Sequence, residues 1–117
     1  MYLRLLGVVL LFFAELSAQT LFTEIYKNYE QHNYEIVRQN LSAMDQQYQS
    51  SLDYQFFNAV FNKNGEIAKE TFQLVFEEGN KSLKKLAAKK LMDYYYAKGY
   101  YINASKFQEY LVDEGIG

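Results

Sequence analysis

One layout recurs three times along this chain: a helical stretch rich in aromatic residues, a short polar turn, and a second helical stretch. The three segments are residues 25–41, 56–72 and 93–107. A small or β-branched residue stands near the start of each second stretch, at Val37, Ala68 and Ala104, so the intervals are 31 and 36 residues. Self-similarity at a period of about 34 residues is typical of proteins built from stacked helical repeats.

The apolar residues on both sides of each turn follow the spacing of one helix face. Val37, Leu41 and Met44 are an example, because three- and four-residue steps return to the same side of a helix. Proline, which interrupts helices, is absent from the chain. Ser82 is the predicted N-cap of the fifth helix, just after a Gly-Asn break. The pattern predicts an all-α fold with six helices, at about residues 20–31, 34–48, 52–62, 66–78, 82–98 and 102–113.

The third segment resembles a unit of the tetratricopeptide repeat (TPR) family. The matching residues are Leu91 and Tyr95 in the first helix, Gly99 in the turn, Tyr101 after it and Ala104 at the helix crossing. The family's closing proline is absent, and the first two segments follow the pattern more loosely. The resemblance implies antiparallel helix pairs stacked as a short right-handed solenoid of about three repeats. The alternative is a helical bundle without repeats.

The first 18 residues have the layout of a secretory signal peptide. Arg4 precedes an apolar run over residues 5–14, and a small residue, Ala18, stands at the expected cleavage site. The run is shorter than the roughly 20 residues that a transmembrane helix needs. The alternatives are an uncleaved membrane anchor and a buried first helix. We therefore expect a bacterial protein that is periplasmic or secreted, with a TPR-like domain at residues 19–117.

The end of the chain bears on self-association. The last predicted helix is followed by four residues and by no polar capping helix. A terminal repeat without a cap exposes an apolar face, because each repeat buries that face against its neighbour. Three interpretations stay open: residues 19–117 are the N-terminal part of a longer protein, the chain forms a homodimer through this face, or it is a fragment.

Composition excludes several classes of function. The net charge of −2 argues against a nucleic-acid partner, since phosphate binding needs a basic surface. The chain has no cysteine and a single histidine, His32, in a predicted turn, so a thiol nucleophile is absent and a serine triad has no suitable base. The carboxylate pairs at residues 77–78 and 113–114 lie at predicted helix ends. We expect no enzyme activity, no cofactor and no metal ion.

The resemblance implies a concave groove lined by the first helix of each repeat. Transferring the family's groove positions onto this sequence gives candidate partner-binding residues Phe57, Phe61, Lys89, Asp93 and Tyr96. Further positions are Val60, Leu86 and Ala97, with Phe22, Tyr26 and Tyr29 as contenders in the first repeat. The alternative for each aromatic residue is a place in the core. We expect Tyr96 to be exposed, because Tyr94 and Tyr95 already cover the side that faces the core.

A run of five lysines between residues 81 and 90 is a second candidate surface. Lys81, Lys85 and Lys89 follow each other at four-residue steps and therefore form one stripe of a helix. Such a stripe could meet an acidic partner, although a solvated helix face is the simpler interpretation. Together these features predict a non-catalytic adaptor of the cell envelope that binds a protein or peptide. The alternatives are a structural, self-associating domain and an accessory module of a larger envelope enzyme.

Overall fold

The computed structural model describes residues 22–115, and within that range it is all-helical and contains no β-strand. The signal peptide predicted at residues 1–18 lies outside the described residues. The helices are α1 (residues 22–30, the described part), α2 (Tyr34–Ser42), α3 (Leu52–Val60), α4 (Gly65–Glu78), α5 (Lys81–Lys98) and α6 (Tyr101–Asp113), with a short 3₁₀ helix at Gln46–Tyr48. In this part of the chain, no helix has both the length and the apolar character of a membrane span.

The described helices fall into two compact units, residues 22–49 and residues 50–115. The N-terminal unit contains α1, α2 and the 3₁₀ helix. Its fully buried side chains are Ile25 on α1 and Val37 on α2, and Leu41 and Met44 are 6% and 5% exposed. The predicted α2 face is therefore buried along most of its length, although Tyr34 at its start is 42% exposed.

The α1–α2 turn depends on a histidine in a left-handed conformation. His32 has a φ of 62°, which costs most L-residues free energy because Cβ approaches the backbone. Two backbone hydrogen bonds close the turn, from the His32 amide to the Tyr29 carbonyl at 3.1 Å and from the Asn33 amide to the Asn28 carbonyl at 2.8 Å. This is the Schellman arrangement, in which the carbonyls at the end of a helix are satisfied by the residues just after it.

Helix α2 is shorter than the sequence predicts: it ends at Ser42 and not near residue 48. Asp45 has extended backbone angles and the 3₁₀ helix follows it. Met44 nevertheless lies on the buried side, since its amide bonds to the Leu41 carbonyl at 3.2 Å and the chain continues to turn after the helix. The apolar spacing thus continues past the end of α2, which explains why the predicted helix is too long.

In the C-terminal unit each helix packs against the next in sequence. Helix α4 contacts α3 and α5, α5 contacts α6, and α3 also contacts α5. The buried side chains include Phe56 and Phe57 of α3, Phe72 and Val75 of α4, Leu83, Ala87, Ala88 and Leu91 of α5, and Ala104 and Leu111 of α6. Aromatic contacts also join the helices: for example, Phe56 meets Phe72 at 5.5 Å between ring centroids, and Phe76 meets Phe107 at 5.2 Å.

Asparagine and serine side chains begin three of these helices. The Ser51 hydroxyl accepts the Tyr54 amide, and the Asn64 side chain accepts the amides of Glu66 and Ile67. For α5 the cap is Asn80, whose oxygen accepts the Leu83 amide at 3.0 Å. The prediction of Ser82 as this cap is wrong, because the helix begins at Lys81 and an asparagine directly before it already satisfies the amide.

The second helices of the three predicted repeats bury residues at matching positions. Val37, Leu41 and Met44 correspond to Ala68, Phe72 and Val75, each pair being 31 residues apart, and all six are buried. In α6 the corresponding buried residues are Ala104 and Leu111, each 36 residues after its α4 counterpart. Gln108 stands at the middle position of α6 and is exposed. The recurrence in the sequence is therefore matched by a recurrence in burial.

Candidate partner-binding surface

Three of the five residues predicted to bind a partner share one exposed face of α5. Lys89, Asp93 and Tyr96 are spaced four and then three residues apart, which places them on one side of the helix. All three are exposed, and the 42% exposure of Tyr96 confirms the expectation for that residue. Together with Tyr101 at the start of α6, which is 65% exposed, they form what we call the α5 surface.

Contacts with α6 hold the Tyr96 side chain in place. Its hydroxyl donates a hydrogen bond of 3.1 Å to Oε1 of Gln108. Its ring lies 6.0 Å from that of Tyr101, measured between centroids, with 52° between the ring planes. Both rings thus remain accessible while the Tyr96 hydroxyl is fixed, so the α5 surface presents a preformed aromatic pair at one end.

The charged end of the α5 surface differs from the aromatic end, because its side chains meet no partner within the described part of the chain. Among residues 22–115, neither the Lys89 ammonium nor the Asp93 carboxylate forms an ion pair or a side-chain hydrogen bond. They do not pair with each other, although a four-residue step on a helix permits it. One positive and one negative charge therefore remain available to a ligand.

The other two predicted residues do not belong to this surface. Phe57 is 0% exposed and Phe61 is half-buried. The ring of Phe57 packs edge-on against Phe56 at 5.1 Å. Because α3 packs against both α4 and α5, its adjacent Phe56 and Phe57 are both covered. The alternative of a core position holds for Phe57, which lies on no surface that a partner can reach in this structure.

The α5–α6 turn brings exposed apolar residues beside Tyr96. Gly99 has a φ of 78°, and the Gly99 and Tyr100 amides bond to the carbonyls of Tyr96 and Tyr95 at 3.0 and 2.8 Å. Beyond this turn Tyr100, Tyr101 and Ile102 are 58%, 65% and 77% exposed. Tyr100 and Ile102 were not among the residues predicted from the sequence. Their exposure could have been predicted from the three consecutive apolar residues at 100–102, since a helix cannot bury three neighbours on one narrow face.

A polar network links the start of α4 to the end of α5. The Tyr94 hydroxyl donates to Oε1 of Glu66 at 2.6 Å, and the Lys98 ammonium lies 3.2 Å from the same oxygen. The ammonium groups of Lys69 and Lys98 lie 5.9 and 5.8 Å from the Tyr94 ring centroid.

These contacts shift two titrations. The hydrogen bond from Tyr94, followed by that from Lys98, holds the pKa of Glu66 below its usual value. The bond to the Glu66 carboxylate, with partial burial and the negative charge, raises the pKa of Tyr94 to about 12.

The remaining candidates lie at separate places in the structure. Lys81 and Lys89 of the lysine stripe are exposed, Lys85 is half-buried, and Lys81 pairs with Glu114 at 3.2 Å. In the N-terminal unit, Phe22, Tyr26 and Tyr29 are half-buried. His32 is exposed in its turn, and its Nδ1 lies 2.7 Å from the Tyr34 hydroxyl.

Comparison with known proteins adds no family to this description. No family model, curated protein or solved structure matches the chain.

Proposed function

We propose that the protein is a non-catalytic interaction module of the bacterial cell envelope, built from TPR-like helix pairs, that binds a peptide or a partner helix on the α5 surface. The observation that carries the proposal is the exposed stripe formed by Lys89, Asp93 and Tyr96. Its location in the envelope depends on the signal-peptide pattern of residues 1–18.

The recurrence in burial supports the repeat part of the proposal. Equivalent positions of α2 and α4 are buried at a constant separation of 31 residues, and Ala104 continues the series in α6. Helix α5 packs against both helices of the preceding pair, α3 and α4. A stack of repeats needs such contacts, because each unit covers its apolar face with the next.

The character of the α5 surface supports the binding part of the proposal. Interfaces are enriched in tyrosine, which offers a large contact area with little loss of conformational entropy. The Tyr96 ring is already positioned by Gln108 and Tyr101, so less freedom is lost when a ligand binds. The Lys89 and Asp93 charges, which have no ion-pair partner among the residues that the structure describes, supply polar contacts of both signs.

Site-specific photo-crosslinking in cells tests the proposal. A benzoylphenylalanine placed at Tyr96 is expected to give discrete crosslinked products with one or a few envelope proteins. The matched control places the same group at Lys106, which is exposed on α6 and outside the α5 surface. The proposal fails if the two positions give the same products, or if Tyr96 gives none. Mass spectrometry of the exported protein tests the location, with an N-terminus at Gln19 as the expected result.

A second candidate function is self-association through α6, the last described helix. Tyr101, Ile102 and Val112 on this helix are 65%, 77% and 55% exposed. Light scattering of the purified protein separates the two candidates. A dimer that an Ile102→Glu substitution converts to a monomer supports the structural role, whereas a monomer at all concentrations excludes it.

A further inference from the structure

We infer that the α5 surface selects its ligand by the order of three features: a large apolar side chain, then a positive charge, then a negative charge. The inference depends on the proposed function and specifies the ligand. It follows from the order of the α5 side chains, because Tyr96 is followed toward the helix N-terminus by Asp93 and then by Lys89. A complementary ligand therefore places its positive charge between its apolar side chain and its negative charge.

The spacing of these side chains fixes the length of the ligand segment. A helix rises 1.5 Å per residue, so Lys89 and Asp93 are about 6 Å apart along the α5 axis and Asp93 and Tyr96 about 4.5 Å. An extended peptide covers about 3.3 Å per residue and spans this distance with three or four residues. The recognised segment is therefore short, and about two turns of a partner helix span it equally well.

Charge complementarity favours this order of features in the ligand. Lys89 and Asp93 are exposed, opposite in sign and without partners among residues 22–115. Two other lysines of α5 are already engaged: Lys81 pairs with Glu114, and Lys98 pairs with Glu66. A ligand with the complementary order gains two attractive contacts, and a ligand with its two charges exchanged meets two repulsive ones.

The apolar end of the ligand meets the ring pair of Tyr96 and Tyr101. The two rings are inclined by 52°, and the side chains of Tyr96 and Tyr101 are 42% and 65% exposed, so each offers part of its surface to solvent. An aromatic or long aliphatic side chain covers both rings at once. The hydrogen bond to Gln108 keeps the Tyr96 ring from following the ligand, which favours one position of the apolar side chain along α5.

Two synthetic libraries of twelve-residue peptides test the inference. In the first, a lysine always stands between a phenylalanine and a glutamate, in either chain direction and with up to two serines between them. In the second, the glutamate stands between the phenylalanine and the lysine, so the composition is identical. The purified protein is expected to bind the first library about threefold to tenfold more tightly at low salt, the range that two exposed ion pairs supply.

A charge exchange on α5 makes the test reciprocal. The double variant Lys89→Asp, Asp93→Lys keeps the net charge and is expected to prefer the second library by a similar factor. The matched control exchanges charges on α6, Lys106→Asp with Glu109→Lys, where both residues are exposed and away from the α5 surface, and is expected to keep the original preference.

The outcomes separate this inference from the proposed function. Equal binding of both libraries, or a preference that the α5 exchange leaves unchanged, overturns the inference while peptide binding stands. Binding of neither library overturns the proposed function together with the inference. Circular dichroism of each variant establishes that the helices are intact, and a second exchange pair, Lys89→Glu with Asp93→Arg, repeats the test if the first variant does not fold.

Discussion

The α1–α2 turn and the α5–α6 turn close with the same pair of backbone hydrogen bonds, but one has histidine and the other glycine at the left-handed position. In the first turn the bonds come from the His32 and Asn33 amides, and in the second from the Gly99 and Tyr100 amides. The two left-handed residues have φ angles of 62° and 78°. They stand 67 residues apart, about twice the repeat period.

The turns differ in the side chains that flank this common backbone. In the α5–α6 turn, the positions that often carry a hydrophobic contact hold Tyr95 and Tyr100, whose ring centroids are 6.4 Å apart. The equivalent positions of the α1–α2 turn hold Asn28 and Asn33, whose side chains share a hydrogen bond of 3.3 Å. The backbone geometry is therefore compatible with either an apolar or a polar closure.

The middle turn, between α3 and α4, breaks the series. Gly65 stands close to where the repeat period places the left-handed residue, yet it is the first residue of α4 and has no positive φ. Asn62 and Asn64 shape this turn, because the Asn62 side chain accepts the Asn64 amide at 2.9 Å. A glycine in the sequence thus predicts a turn but not its conformation.

The largest loss of stability is expected at Gly79, a glycine that is needed for space and not for a positive φ. It provides a steric reference for the left-handed residues of the two turns. A methyl group at Gly79 would lie 2.5 Å from the Val75 carbonyl oxygen and 3.0 Å from Cβ of Leu83. Gly79→Ala is expected to lower the free energy of unfolding by about 3 kcal/mol, since backbone must move. Urea denaturation measures it. Gly65→Ala is the control, because its Cβ meets nothing within 4 Å, and a loss of similar size there would contradict the steric explanation.

Gly99→Ala isolates the cost of the left-handed backbone. Apart from the adjoining residues, no atom lies within 4 Å of the Cβ that alanine would add, so the penalty comes from φ alone. We expect a loss of about 1–2 kcal/mol in the free energy of unfolding. Hydrogen exchange at the Tyr100 amide reports the turn directly, and unchanged protection there would show that the turn does not need glycine.

His32→Gly is the reverse experiment in the other turn. Removing the side chain relieves the left-handed penalty but loses the contact between His32 and Tyr34. We therefore expect the free energy of unfolding to rise by about 0.5 kcal/mol. Exchange at the Asn33 amide measures the stability of this turn. His32→Ala removes the ring while keeping the backbone penalty and is expected to destabilise. If both variants destabilise equally, the ring and not the backbone determines the choice of histidine.

The smallest effect is expected from titrating the network beside Gly99. The lowered pKa of Glu66 means a contribution to stability that is present above pH 4.5 and lost as the pH falls through the folded-state value. The raised pKa of Tyr94 means a contribution that is present below pH 10 and lost as the pH rises toward about 12. In the α1–α2 turn the residue equivalent to Lys98 is Gln31. Its side chain forms no ion pair and accepts a hydrogen bond from Asn33 inside the turn.

NMR titration of Tyr94 checks this coupling. Glu66→Gln is expected to move the Tyr94 pKa down toward 10, because the carboxylate that raises it is gone. Glu70→Gln, on the same helix and exposed, is the control and should leave the Tyr94 pKa unchanged. A Tyr94 pKa that is the same in both variants would rule out the hydrogen bond as its cause.

Local patterns predicted the all-α class and the positions of the helices, because the apolar spacing and the turn residues act over a few residues. The end of α2 was missed because Met44 continues the apolar spacing through a non-helical turn. The shared face of Lys89, Asp93 and Tyr96 was predicted through the resemblance to the tetratricopeptide repeat family. The burial of Phe57 was not, because it depends on which neighbours cover α3, and α3 packs against two helices.

The sequential packing of α3 to α6 has a consequence for how fast this unit forms. Its main helix contacts join elements that follow each other in the chain, so little loop entropy is lost before the contacts stabilise the unit. Proteins with such local topology fold within microseconds to milliseconds. No X-Pro bond delays the process, since the sequence contains no proline. A chain whose unfolded form is short-lived exposes its many tyrosine and phenylalanine side chains to aggregation only briefly.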